Sequence, residues 1–211
     1  MPASVRIAAF VDFLDLGVRT AERDAVARHG GFLTPRDDFE AVLSAAKLGD
    51  ERAVSWMYRA YNPFLLRFLA GQAPEAKEDL AQEVWLSVAS SLASFEGDEG
   101  QFRSWLFTIA RRRTIDHWRM TRRRPREVKE ELHEVADAER PDNLAIQAAI
   151  ADLTASLTPN QAEVVLLRVV AGLSVEQVAV IVGKSPGAVR VIQHRSLRRL
   201  SSLEASRLVT R

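Results

Sequence analysis

The 211-residue sequence contains no cysteine, which excludes disulfide bonds and thiolate metal sites and suits a reducing cytoplasm. Long apolar runs are also missing, since no stretch reaches the length of a membrane span. The apolar segment near the N-terminus is interrupted by Asp12 and Asp15 and lacks a small-residue cleavage pattern, unlike a signal peptide. These absences predict a cytoplasmic protein that is not inserted in a membrane.

The residue clusters that enzymes and metal sites need are absent as well. The four histidines are scattered, without paired metal-ligand spacing. No glycine loop of the phosphate-binding kind is present, and the acidic run at 96–100 lacks the alternating ligands of a calcium loop. We therefore expect no catalysis, no cofactor and no metal ion.

What the sequence does contain is helical periodicity and unevenly placed arginine. Hydrophobic residues make up 47% of the chain, which is enough to build cores, and no β-type alternation is long enough for a sheet. The net charge is only +1, but the arginines are bunched in two places. Any affinity for nucleic acid must therefore come from local patches.

Helical periodicity, together with a charged segment between two helical stretches, predicts an all-α fold with two small helical domains on a flexible linker. The predicted parts are an N-terminal extension (1–37), a first helical domain (38–120), a linker (121–143) and a second helical domain (144–205). The linker is highly charged and nearly free of large apolar side chains, so it cannot bury enough surface to offset its ordering entropy. We expect the extension to be dispensable; the alternative is a helix that docks on the body or on a regulator.

The segment 173–200 has the pattern of a helix-turn-helix. One apolar helical face is formed by Val175, Val178, Ala179 and Val182. The predicted helix boundaries are Ser174 as an N-cap, Gly183 as a left-handed C-cap, and Ser185 with Pro186 at the next helix start. In the second helix, Val189, Ile192, Ser196 and Leu200 would face inward, which leaves the arginines toward solvent. The alternative is an ordinary helical hairpin with a basic outer face.

Two further segments stand out in the first domain. Leu80, Val84, Val88 and Leu92 are spaced to face a core, while Asp79, Gln82 and Glu83 share another, polar face that could simply be solvated. After it, a glycine-containing acidic loop precedes a helix that mixes aromatic residues with arginines. Such a mixture is typical of a surface that stacks unpaired bases and neutralises their backbone, although each ring taken singly could be core.

These segments together resemble an extracytoplasmic-function (ECF, group IV) sigma factor of the sigma-70 family. The matching stretches are DLAQEVW (79–85), FRSWLFTIARRRTIDHWR (102–119), LTPNQAEVVLLRVVAGLS (157–174) and GAVRVIQHRSLRRL (187–200). They occur in order and with family-like spacing between residues 39 and 203. The resemblance implies a bacterial transcription initiation factor that binds core RNA polymerase and directs promoter recognition and melting.

The resemblance also implies three binding surfaces. The docking face, for the clamp helices of the largest polymerase subunit, comprises Asp79, Gln82 and Glu83. The minus-10 set, which would open that element and hold its non-template strand, comprises Phe95, Glu96, Gln101, Arg103, Trp105, Arg111, Arg112 and Arg119. The minus-35 set comprises Ser185, Pro186, Arg190, His194, Arg195 and Arg198. The second domain would also contact the flap of the second-largest subunit, the acidic linker would thread the polymerase channel, and an anti-sigma factor is a common partner in this family.

The chain departs from the family pattern at two places. Arg112 stands where members often have asparagine, which adds positive charge to the melting surface. Val191 and Ile192 stand where many have a polar or basic residue, so base contacts should fall more heavily on Arg190, His194 and Arg195. Two other classes stay open at this point: a stand-alone helix-turn-helix regulator, and a helical adaptor that binds protein through the docking face.

Overall fold

The computed structural model describes residues 37–123 and 141–209, and within these ranges the chain forms helices and turns but no strand. The N-terminal bundle consists of α1 (Asp37–Lys47), α2 (Glu51–Ala70), α3 (Lys77–Ser91) and α4 (Glu99–Arg123), with single 3-10 turns at Pro74–Ala76 and Leu92–Ser94. The C-terminal bundle consists of α5 (Pro141–Ala155), α6 (Pro159–Val169), α7 (Val175–Val182) and α8 (Pro186–Val209). The predicted all-α fold with two helical domains is confirmed.

The core of the N-terminal bundle is rich in aromatic rings. Phe102 is fully buried and lies 5.0 Å from Tyr61 and 5.7 Å from Phe39 between ring centroids. Burial, reinforced by the charge of Glu99, raises the pKa of Tyr61, so its hydroxyl stays neutral. The predicted inward face of α3 is confirmed, since the following residues are all buried: Leu80, Val84, Val88 and Leu92.

The helix boundaries of the C-terminal bundle follow from local capping. Ser174 and Gln177 form a reciprocal capping box at the start of α7, with hydrogen bonds of 3.1 and 2.8 Å. Gly183 adopts φ 66° and ends α7, as predicted. Ser185 Oγ then accepts a hydrogen bond from the Ala188 amide at 3.2 Å, and α8 begins at Pro186. The helix-turn-helix is therefore present with its predicted boundaries.

The two bundles contact each other directly. Leu166 of α6 and Ile150 of α5 pack at Gly71, so closely that a Cβ atom there would lie 2.8 Å from Leu166 Cδ1. The Gln177 side chain donates to the Gly100 carbonyl at 3.1 Å. Buried apolar residues of both bundles form one continuous cluster. We call this surface the interdomain contact; no pattern in the sequence predicts it.

The connection between the bundles is partly described. Helix α4 continues through Arg123 and α5 already starts at Pro141, so both ends of the segment predicted to be a linker are helical. The rest of that linker, and the extension before residue 37, lie outside the described residues. Among the described helices, none combines the length and apolar character needed to cross a membrane.

Candidate polymerase and nucleic-acid interfaces

The predicted docking face lies on the solvent side of α3. Asp79, Gln82 and Glu83 are all exposed, opposite the buried residues of the same helix. Glu83 Oε2 lies 3.7 Å from Arg113 Nη1 of α4, and Arg113 Nη2 donates to Ser87 Oγ at 2.7 Å. Arg113 therefore borders the acidic face and orients Glu83. Sequence reasoning assigned Arg113 no role, because only the packing of α3 on α4 brings it there.

An apolar residue adjoins the same face. Leu86 is 65% exposed and lies one helical turn after Gln82 and Glu83. Beside it on the helix, Trp85 donates from Nε1 to Asn62 Oδ1 of α2 at 2.9 Å, which ties α3 to α2. The docking face thus combines carboxylates with an exposed leucine, on a helix that α2 holds through the Trp85–Asn62 hydrogen bond.

Gln101 of the minus-10 set stabilises the loop before α4. Its side chain accepts a hydrogen bond from the Asp98 amide at 2.8 Å, while its own amide donates to Asp98 Oδ1 at 2.8 Å. This reciprocal pair caps α4, and the D-x-x-Q spacing could have revealed it in the sequence. Within the loop, Gly97 has φ 148°, and a Cβ there would lie 2.6 Å from Gln101 Oε1. The loop before α4 is therefore held in one shape, with Glu96 exposed on it.

The aromatic residues of the minus-10 set contact each other. Phe95 stacks on Trp105 with centroids 5.0 Å apart and an interplanar angle of 28°, and both rings are half-buried. Both also lie within 6 Å of the buried Phe102 ring, at 5.6 and 5.8 Å between centroids. The Phe95–Trp105 pair lies between core and solvent at the start of α4, so each ring contributes both to the core and to the surface.

The four arginines of the minus-10 set fall into two groups. Arg112 and Arg119 are exposed and seven residues apart, so with Trp105 they form one stripe along α4. Arg119 also lies 3.4 Å from Asp116 in an exposed pair. Arg103 and Arg111 are only half-exposed, by contrast, and both lie at the interdomain contact.

Both arginines of this second group, Arg103 and Arg111, contact the C-terminal bundle. Arg111 Nε donates to Glu163 Oε1 of α6 at 2.7 Å, and that carboxylate side chain is only 13% exposed. Arg103 lies beside Gly172 of the turn between α6 and α7, and its Nε is 3.9 Å from Glu99 Oε1. The structure therefore does not bring all four cations to one open surface.

The minus-35 set lies at the start and on the outer side of α8. Its members are all exposed: Ser185, Pro186, Arg190, His194, Arg195 and Arg198. The inward face is confirmed at Val189, Ser196 and Leu200, which are buried, while Ile192 is half-buried. Arg190 Nη2 lies 3.0 Å from Glu176 Oε1 of α7, so one cation of the outer side is paired within the protein.

Arg168 is an internal brace that sequence reasoning missed. From α6 it donates through Nε to Gln193 Oε1 of α8 at 3.1 Å and through Nη1 to the Leu173 carbonyl just before α7. Burial lowers the pKa of Arg168, partly offset by the charge of Glu176. One side chain thus joins the three helices that set the orientation of the outer side of α8.

Comparison with known proteins matches each bundle to a family model. Residues 57–124 match the family model for sigma-70 region 2, and residues 147–200 match that for sigma-70 region 4. The chain is 36% identical over 189 residues to the ECF RNA polymerase sigma factor ShbA of Streptomyces griseus, covering 80% of this chain and 98% of that protein. It is 33% identical over 172 residues to the ECF RNA polymerase sigma factor SigD of Mycobacterium tuberculosis, covering 76% and 81% respectively.

A solved structure shares the fold. The chain resembles CnrH, determined in complex with the cytosolic domain of CnrY, with a TM-score of 0.55 and 21% identity over 79% of this chain and 96% of that one. Sigma factors are generally non-enzymatic transcription initiation factors. With two family models in sequence order and relatives matched over most of their length, the chain belongs to the ECF sigma factors of the sigma-70 family.

Proposed function

We propose that this sigma factor binds core RNA polymerase through the N-terminal bundle and divides promoter recognition between its two bundles. The observation that carries the proposal is the placement of different chemistry on separate exposed surfaces. An acidic face with an apolar residue lies on α3, an aromatic and cationic stripe runs along α4, and a cationic side lies on α8. The first suits a protein partner, and the other two suit nucleic acid.

The C-terminal bundle would read the minus-35 element. Helix α8, the second helix of the helix-turn-helix, would lie with its N-terminal half against base edges in the major groove and its later cations against phosphates. Ser185 and Pro186 lie at the start of α8, and Arg198 lies three turns further along. The brace from Arg168 to Gln193 supports this role, because base readout requires a helix held in one orientation.

The N-terminal bundle would open the minus-10 element and hold one strand. The exposed Arg112 and Arg119 would neutralise the backbone, and the Phe95–Trp105 pair would receive an unstacked base. Unstacking costs a few kcal/mol, which stacking and phosphate contacts would offset without ATP. Arg103 and Arg111 could join this surface only after the interdomain contact separates, because Glu163 now holds Arg111.

The docking face would bind the clamp helices of the largest polymerase subunit, and the C-terminal bundle would contact the flap of the second-largest subunit. An anti-sigma factor is a further expected partner, since the related fold of CnrH was determined with a cytosolic domain of CnrY bound. We expect the protein to act in the cytoplasm and to catalyse no reaction of its own.

In vitro transcription with core polymerase on a promoter library tests the proposal. Transcripts starting at a defined class of sites are expected only when both protein and core polymerase are present. A matched reaction with the Asp79→Arg and Glu83→Arg double variant should give none. Tight sequence-specific binding to duplex DNA without polymerase, together with no transcription, would instead identify a stand-alone helix-turn-helix regulator.

A further inference from the structure

An apolar residue, Val191, lies on the outer side of α8 within the first two turns of the helix. The buried side of this helix contains Val189, Gln193, Ser196 and Leu200. Val191 lies nine residues before Leu200, which is about two and a half helical turns, so the two point in opposite directions. Val191 is 48% exposed, and its branched side chain therefore points directly away from the bundle.

The neighbours of Val191 leave it accessible to a large ligand. Gly187, one turn earlier on the same side, is exposed and has no atom within 4 Å of the position where a Cβ would be. Arg195 lies one turn later and is exposed, while Arg190 is drawn toward α7 by Glu176. The result is a small apolar site between cations, in the half of the helix that would enter the groove first.

The chemistry of this site selects among the features of DNA. Phosphates and base-edge hydrogen-bonding groups gain nothing from a valine. The 5-methyl group of thymine is the apolar feature that the major groove displays, and small apolar side chains contact it. The cations around Val191 favour a polyanion over an apolar protein surface as the occupant.

We infer that Val191 is a specificity residue whose methyl groups contact the 5-methyl group of a thymine in the minus-35 element. The inference rests on the proposed function, because it requires the outer side of α8 to lie in the major groove. It differs from the sequence-based expectation, which moved base contacts away from Val191 to Arg190, His194 and Arg195.

Replacing thymine by uracil provides the test, because that change removes one methyl group and leaves the base-pairing edge intact. The preferred minus-35 sequence is first selected with the complete chain bound to core polymerase. Each thymine is then replaced in turn by deoxyuridine, and holoenzyme binding is measured by competition. We expect one position to bind about fourfold more weakly, which corresponds to about 0.8 kcal/mol for one buried carbon group.

Two variants test whether Val191 causes the loss of binding to uracil. Val191→Ala should bind the thymine and uracil versions of that position almost equally, because it lacks the methyl groups that make the contact. Val180→Ala is the matched control, because it removes the same methyl groups from a valine on α7 that is 83% exposed. It should keep the fourfold preference for thymine.

The other outcomes refute either the inference or the proposed function. Normal promoter binding without a uracil effect at any position would refute the thymine contact and leave the proposed function standing. A uracil effect that Val191→Ala retains would assign the methyl contact to another residue and equally refute the inference. Failure of the holoenzyme to select any minus-35 sequence would refute the proposed function itself.

Discussion

Replacing Gly71 by valine should separate the two bundles without unfolding either. Gly71 has φ −83° and ψ −6°, so the substitution does not require the left-handed backbone that favours glycine. Its new Cβ would lie 2.8 Å from Leu166 Cδ1 and 3.1 Å from Ile150 Cγ2, against about 3.5–4.0 Å for an ordinary carbon contact. The two further methyl groups of valine would need still more room.

The expected magnitude follows from overpacking. Forcing extra carbon groups into a packed site costs about 1–3 kcal/mol. The bundles are joined by a connecting segment, so the strain can be relieved by separation at the interdomain contact. A cost of that size would shift the equilibrium between joined and separated bundles toward separation by about 5–150-fold.

Energy transfer between two dyes measures this separation. The chain has no cysteine, so Ala89→Cys and Ser201→Cys, both at exposed positions, provide unique labelling sites on the two bundles. Transfer efficiency should fall in Gly71→Val while the helical circular dichroism signal is kept. Gly187→Val is the matched control, because no atom lies within 4 Å of its Cβ position. Unchanged transfer in Gly71→Val at full helix content would refute the reasoning.

Three further predictions concern the binding surfaces and their support. Replacing Asp79 and Glu83 by arginine should abolish co-purification with core polymerase while the helical circular dichroism signal is kept, because both are exposed. The exposed control Asp152→Arg should still co-purify, and retained affinity of the double variant would remove the docking role. Arg190→Ala should lose about 1–3 kcal/mol of discrimination at one minus-35 position if Arg190 contacts a base, and equal weakening of all sequences in footprints on variant promoters would restrict it to phosphate. Arg168→Met should lower the free energy of unfolding in urea by about 1–3 kcal/mol, because two partly buried acceptors lose their donor, and a change below the error of the titration would contradict the brace.

The features that the sequence predicted correctly are those determined by interactions between residues close together in the chain. Ser174, Gly183 and Ser185 mark helix ends by hydrogen bonds or backbone angles that involve neighbours at most four residues away. The inward face of α3 follows from spacing alone, since a helix places such residues on one side whatever packs against it. Local rules therefore recovered the helices and the helix-turn-helix.

The features that sequence missed depend on residues far apart in the chain. Arg111 and Glu163 are separated by 52 positions, and nothing near either residue indicates the other. Arg168 likewise binds Gln193 across 25 positions. Gln101 is a different case, because its capping partner Asp98 is only three residues away and is visible in the sequence. The assignments of the minus-10 set, the minus-35 set and the docking face stay predictions.

The ion pair between Arg190 and Glu176 has a consequence for how binding responds to salt. A guanidinium paired with a carboxylate of the same protein brings less net positive charge to DNA, so its binding releases fewer counterions. When the Arg190 side chain moves toward the groove, the Glu176 carboxylate faces the DNA polyanion without its partner and binds a cation from solution. The apparent number of ions displaced should therefore be smaller than a count of arginines on α8 suggests, and removing Glu176 should make association steeper in ionic strength.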